Sequence, residues 1–113
     1  MAIIDLRKKH CVPCEGGFPP LTKEQIAHYS PKTPDWKVSA DDKKISRDYE
    51  FKDFMEVLGF VNKVAKIAEE ESHHPDLSIH GYKFLRIDLS THSINGLSEN
   101  DFILAAKIDA IEK

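Results

Sequence analysis

The order of patterns along the chain predicts an α+β domain, a four-stranded antiparallel sheet with helices packed on one face. Three observations carry this. Two pairs of strand-like runs lie over about 36–50 and 77–91. A long stretch of helical apolar spacing, about 51–72, separates them. Short helical patterns lie before the first pair and after the second. Hairpins split by a helix suggest antiparallel pairing, with the helices covering one side of the sheet. The chain has 113 residues, enough for one domain.

Residues 1–20 are expected to be an irregular N-terminal arm, because Cys11-Val12-Pro13-Cys14 and Gly16-Gly17-Phe18-Pro19-Pro20 carry turn formers and little periodicity. Residues 21–113 form the single domain. Thr22 to Tyr29 is the first helix: Thr22 and Gln25 have capping-box spacing, and Leu21 and Ile26 are placed as a hydrophobic staple. Pro31 and Pro34 stop it. Trp36 to Ser39 and Lys44 to Glu50 are strands around the turn Ala40-Asp41-Asp42-Lys43. In the long helix, Phe51, Phe54, Met55, Leu58, Val61, Ala65 and Ala68 form one apolar stripe. Pro75 cannot extend it and pushes His74 toward extended backbone.

Leu77 to His80 is a short strand, and Gly81 marks a turn or bulge. Tyr82 to Thr91 alternates: Leu85, Ile87, Leu89 and Thr91 share one face, while Phe84, Arg86, Asp88, Ser90 and His92 share the other. Asn95-Gly96 turns the chain into a last helix capped by Ser98, with Asp101 in box-like position at its positive end.

The formal net charge of -3, with both signs interspersed, excludes the basic stripe of a generic nucleic-acid binder and gives no polybasic membrane signal. No apolar run approaches the ~20 residues of a membrane span. The order at the start, Ala2-Ile3-Ile4 before Arg7-Lys8-Lys9, is the reverse of a secretory signal. The expected location is therefore cytoplasmic, with Cys11 and Cys14 reduced.

Chemistry concentrates in Glu69-Glu70-Glu71-Ser72-His73-His74-Pro75 and in Ser90-Thr91-His92. Glu69 and His73 stand four apart, on one helix face. A neighbouring carboxylate and the negative helix end both favour the imidazolium, so His73 is expected to donate a proton near neutral pH. His74 leaves the helix in another direction and suits binding as much as catalysis. His92 comes from the end of a strand. If strand and helix end meet, a donor and an acceptor flank one small polar substrate. Asp101 lies where a carboxylate and free backbone N–H groups coexist.

The pattern Glu69-x3-His73-His74-Pro75-x6-Tyr82-x9-His92-x8-Asp101 resembles the signature of the pterin-4a-carbinolamine dehydratases. Phe51-Lys52-Asp53-Phe54, Ser90-Thr91-His92 and Gly96-Leu97-Ser98-Glu99-Asn100-Asp101 resemble family segments, and Trp36 stands at the family's usual distance before Phe51. The likeness covers roughly residues 20 to 113. It implies dehydration of 4a-hydroxytetrahydropterin to quinonoid dihydropterin, without metal or organic cofactor, in recycling tetrahydrobiopterin for a hydroxylase such as phenylalanine hydroxylase. It also implies acid–base roles for His73 and His92, a pterin-holding role for His74, and completion of the site by Glu69 and Asp101. Pro75, Ser90, Thr91 and Trp36 are expected to contact substrate. Leu77 stands where several members have tryptophan, so an aromatic wall of the pocket is either missing or supplied by Trp36 or Tyr82.

A homodimer or homotetramer is implied, with an edge strand and the long helix as contact surfaces. Two alternatives follow from the same resemblance: a non-enzymatic dimerisation cofactor of a transcription regulator, and a pterin-binding protein of molybdopterin metabolism. Blander readings remain for other residues. Glu70 and Glu71 are expected on a solvated face, and His10, His28 and His80 on the surface. His10, Cys11 and Cys14 hint at zinc, but a structural zinc site takes four ligands and no second Cys pair exists, so no metal is expected.

Overall fold

Capping chemistry sets the helix boundaries. In the computed structural model, which describes residues 6–11 and 19–111, helix α1 spans Lys23–Tyr29. Its capping box is complete: Gln25 N–H donates to Thr22 Oγ1 at 3.3 Å, and Thr22 N–H donates to Gln25 Oε1 at 2.8 Å. Strands β1 (Lys37–Val38) and β2 (Ile45–Glu50) follow. Helix α2 spans Phe54–Glu71; Asp53 caps it by accepting Glu56 N–H at 2.9 Å, and Glu56 reaches back to Lys52 N–H at 2.9 Å. Phe51 is therefore not its first residue. It leaves β2 with its N–H bonded to Lys83 O at 2.9 Å.

Strands β3 (Asp76–His80) and β4 (Phe84–Leu89) come next, then a 3-10 turn at His92–Ile94 and helix α3 (Glu99–Asp109). The sheet order is β1-β2-β4-β3 and every pair is antiparallel, as the hairpin pattern predicts. Register aligns Ile45 with Leu89, Tyr49 with Leu85, and both Arg47 and Leu77 with Ile87. The alternation in β4 is real: Leu85, Ile87 and Leu89 are buried, the residues between them half-buried. Each such buried side chain contributes about 1.5–3 kcal/mol. They join Val57, Phe60 and Val64 of α2 and most of α3 in one core.

Helix α2 departs from the expected stripe. The core takes Val57, Phe60, Val64 and Ala68, while Phe54 and Met55 are exposed and Leu58 and Val61 half-buried. Two adjacent apolar faces share this helix, and periodicity cannot say which one meets the sheet. Strand β3 is a sheet edge with every residue exposed.

The described part of the N-terminal arm is ordered against the domain. Leu6 opens a 3-10 turn (Leu6–Lys8) and is buried in the core. Cys14 lies outside the described residues.

Candidate active site

The site forms where α2 ends and β4 runs out. The α2 terminus is a Schellman arrangement: His73 N–H returns to Ala68 O at 3.2 Å, and Ser72 N–H to Glu69 O at 3.3 Å. Ser72 takes the left-handed conformation this needs, φ 53°. That costs a non-glycine residue about 1–2 kcal/mol, a sum comparable to the two hydrogen bonds it closes. His73 thus sits one residue beyond the left-handed turn, outside the helical last turn expected for it. The chain then enters β3 at Asp76, paired with Asp88 of β4. That register brings residues 73–75 beside Ser90-Thr91-His92.

Asp101 joins the two segments. Its carboxylate is fully buried; Oδ1 lies 2.6 Å from His73 Nε2, and Oδ2 accepts Thr91 Oγ1–H at 2.8 Å and Ser98 N–H at 2.9 Å. An ionised carboxylate only accepts, so His73 carries a proton on Nε2 and presents Nδ1 elsewhere. Thr91 spends its one hydroxyl proton on Asp101 and so accepts from Ser98 Oγ, 2.7 Å away. The turn after Thr91 is braced by Thr91 N–H to Gly96 O at 2.8 Å. Gly96 suits that place because a Cβ there would come within 2.6 Å of Pro20 Cβ. That turn carries His92.

A cavity of about 700 Å³ opens between these segments. His73, His74, Ser90, Thr91 and His92 line it, with Ser93, Asn100, Glu70, Glu71, Ser72, His10 and Cys11. Its size falls within the range of small-molecule sites. Imidazoles from a helix terminus and from a strand end therefore share one concavity.

Six residues singled out from the sequence stand elsewhere. Glu69 pairs with His74, Oε1 to Nε2 at 2.8 Å, and not with His73, because the left-handed turn swings His73 toward Asp101. Asp101 is sealed behind His73 and orients it rather than facing the cavity. Trp36 is buried in the core with its indole N–H on Asp109 Oδ1 at 2.8 Å, so it lines no wall. Pro75 is half-buried and outside the lining, as are Leu77 and Tyr82, both exposed.

Glu71 departs from the solvated position expected of it, whereas His10 is exposed as expected but pairs with Glu71. The Glu71 side chain is 5% exposed; it accepts Cys11 N–H at 2.7 Å and lies 3.0 Å from His10 Nδ1. Burial alone would push its carboxyl up, but the Cys11 N–H, His10 and Lys107 outweigh this and hold it below the ordinary value. Burial, then the charges of Glu71 and Asp101, push the Cys11 thiol up to about 12, so it is no nucleophile near neutrality. No local sequence signal marks these residues, since the contact joins positions 60 apart. Among the described residues no cluster of His, Cys, Asp and Glu has metal-holding geometry, and no helix is long and apolar enough to cross a membrane.

Comparison with known proteins agrees with the sequence signature. A family model described as Pterin 4 alpha carbinolamine dehydratase matches residues 19–111. A Halorhodospira halophila protein provisionally named pterin-4-alpha-carbinolamine dehydratase is 44% identical over 108 residues, covering 96% of this chain and 98% of its own. A similarly named Legionella pneumophila (strain Corby) protein is 47% identical over 108 residues, 95% of each chain. Among solved structures, the transcriptional coactivator/pterin dehydratase from Brucella melitensis superposes with TM-score 0.74 at 32% identity, over 80% of this chain and 96% of that one. A pterin dehydratase-like protein identified as a RuBisCO assembly factor in the alpha-carboxysome shares the fold, at TM-score 0.56 and 21% identity over 66% of this chain and 86% of that one. The chain belongs to the pterin-4a-carbinolamine dehydratase family.

Proposed function

We propose that this chain dehydrates 4a-hydroxytetrahydropterin to quinonoid dihydropterin by histidine acid–base catalysis, in the recycling of tetrahydrobiopterin. The observation that carries the reading is the single cavity lined by His73, His74 and His92, with His73 oriented by a buried carboxylate. The C4a–O bond breaks as a proton reaches the leaving hydroxyl, which departs as water. The N5 lone pair forms the C4a=N5 bond, and the N5 proton passes to a base. His73, oriented by the Asp101 carboxylate on Nε2, delivers the first proton through Nδ1. His92 takes the second. Each such transfer contributes about 10²–10⁴-fold. His74, held by Glu69, and the Ser90 hydroxyl help to seat the ring.

The test is stopped-flow mixing with freshly generated 4a-carbinolamine in a cytoplasm-like buffer. Dehydration should run well above the buffer rate and be unaffected by a chelator. A rate equal to buffer would overturn the reading, and loss with chelator would overturn its metal-free chemistry.

A second reading, an interaction module, draws on the exposed outer face of α2, where Met55 is 74% exposed, and on the open edge of β3. We assign this surface to a second copy of the chain, as a homodimer or homotetramer. Light scattering should give an oligomer for the native chain and a smaller mass for Met55→Glu or Leu77→Lys. A monomeric native chain would overturn the assignment and favour an outside partner.

A further inference from the structure

The segment Leu6–Cys11 precedes the residues that the family model matches, yet it is fastened along its length. Leu6 is buried in the core. The Arg7 carbonyl accepts Lys107 Nζ–H at 2.9 Å. Lys9 Nζ meets Glu99 Oε2 at 2.8 Å, on a carboxylate that Tyr29 O–H also engages at 2.8 Å. At the far end, Glu71 binds the Cys11 amide through Oε1 and His10 Nδ1 through Oε2. Glu71 lies two residues before His73. The segment is therefore tied to the helix end from which the site histidines emerge.

His10 differs from its neighbours. Its side chain is 81% exposed, but it lines the same cavity as His73, His74 and His92. Glu71 can only accept, so His10 Nδ1 bears the proton, and in the neutral ring Nε2 is left as an acceptor. Among the described residues nothing engages that Nε2. A reduced pterin carries N–H donors around its ring system, and an acceptor on a pinned wall matches one of them.

We propose that Leu6–Cys11 is a strap forming one wall of the pterin site, with His10 the group it offers to the ligand and Glu71 the positioning residue that holds His10 there. This rests on the dehydratase reading of the cavity. A strap fixed at both ends presents its group with little ordering left to do on binding, so the contact acts on affinity rather than on the chemical step.

The test uses full-length His10→Ala, Glu71→Ala and the double variant, with His73→Ala as reference. Two readouts are taken: kcat and KM for dehydration, and calorimetric Kd for 7,8-dihydrobiopterin. Because His10 is exposed, its removal should leave folding intact. One lost hydrogen bond corresponds to a weakening of about 3- to 10-fold. His10→Ala should raise KM and Kd by that factor with kcat within about twofold. Glu71→Ala should do the same, and the double variant should add little, because both act through one contact.

Unchanged KM and Kd in His10→Ala would overturn the strap, and so would a fall in kcat alone. If His73→Ala still loses turnover in those cases, the dehydratase reading stands. A native chain that neither binds dihydrobiopterin nor accelerates dehydration would refute both.

Discussion

His73 bonds a carboxylate that water does not reach, whereas His74, next to it in the chain, bonds one that water surrounds. The exposures are 12% and 0% for His73 and Asp101, against 59% and 78% for His74 and Glu69. Both contacts are short, 2.6 and 2.8 Å. Distance alone would rank them as equals. Burial separates them: an exposed pair contributes about 0–1 kcal/mol and lets its partners move, whereas breaking a buried one strands a charge. Two adjacent imidazoles can thus do different jobs, a fixed one for proton transfer and a compliant one for holding a ligand.

The sharpest way to break this contrast is at the carboxylates. Asp101→Asn keeps the shape but removes the charge that orients His73. It should lower unfolding stability by about 3–5 kcal/mol and cut kcat about 100-fold or more. Glu69→Gln should change stability by no more than about 0.5 kcal/mol and leave kcat within a few-fold. Denaturant titration and stopped-flow rates measure both, and equal losses from the two variants would erase the distinction.

The histidines themselves come next. His73→Ala should reduce kcat by about 10²–10⁴-fold. His74→Ala should act mainly on KM, by about 10-fold at most, as one hydrogen bond would. The reverse assignment would appear as a KM effect at His73 and a kcat effect at His74.

Acid gives a gentler test of the surrounding frame. Glu71 and Glu99 both sit below the ordinary carboxyl value of 4.5. Burial opposes their charged forms, but Cys11 N–H, His10 and Lys107 at Glu71, and Lys9 and Tyr29 at Glu99, prevail. A depressed folded value means that their contribution is present above about 4.5 and is lost as pH falls through the folded value. As pH falls below about 4.5 the contacts of Leu6–Cys11 should therefore loosen, seen as lost protection of the Cys11 amide against exchange. Protection that stays constant as pH falls would show that the two carboxylates do not hold the segment.

The smallest effect is expected far from the site. Among the described residues the buried Tyr49 hydroxyl has no hydrogen-bond partner, and burial pushes its phenol up. Tyr49→Phe should leave stability unchanged or raise it by up to about 1 kcal/mol, read by thermal unfolding. A loss of that size would reveal a partner.

Short-range chemistry made much of the molecule legible in the sequence. The Thr22–Gln25 box, the alternation of Leu85, Ile87 and Leu89, and the Ser98 cap are set by residues within a few positions of one another. The convergence of His73 and His92 was legible only because the motif spacing resembled a known family. Contacts between distant segments were not legible. Nothing in Glu69-Glu70-Glu71 says that the last carboxylate turns inward to meet Cys11, or that a left-handed Ser72 hands His73 to Asp101 instead of Glu69. The α2 stripe misled for a related reason: the helix has two apolar faces, and the sheet chooses one. Trp36 was assigned to the pocket by position in the chain, while its indole N–H had a carboxylate in Asp109 across the fold.

Everything rests on His73 and His92 serving one pterin ring. The direct measurement is stopped-flow dehydration by the His73→Ala/His92→Ala double variant, with dihydrobiopterin binding followed in parallel. Turnover should fall to the buffer rate while the variant stays folded and still binds the pterin. A double variant that dehydrates the carbinolamine at the native rate would contradict the assignment.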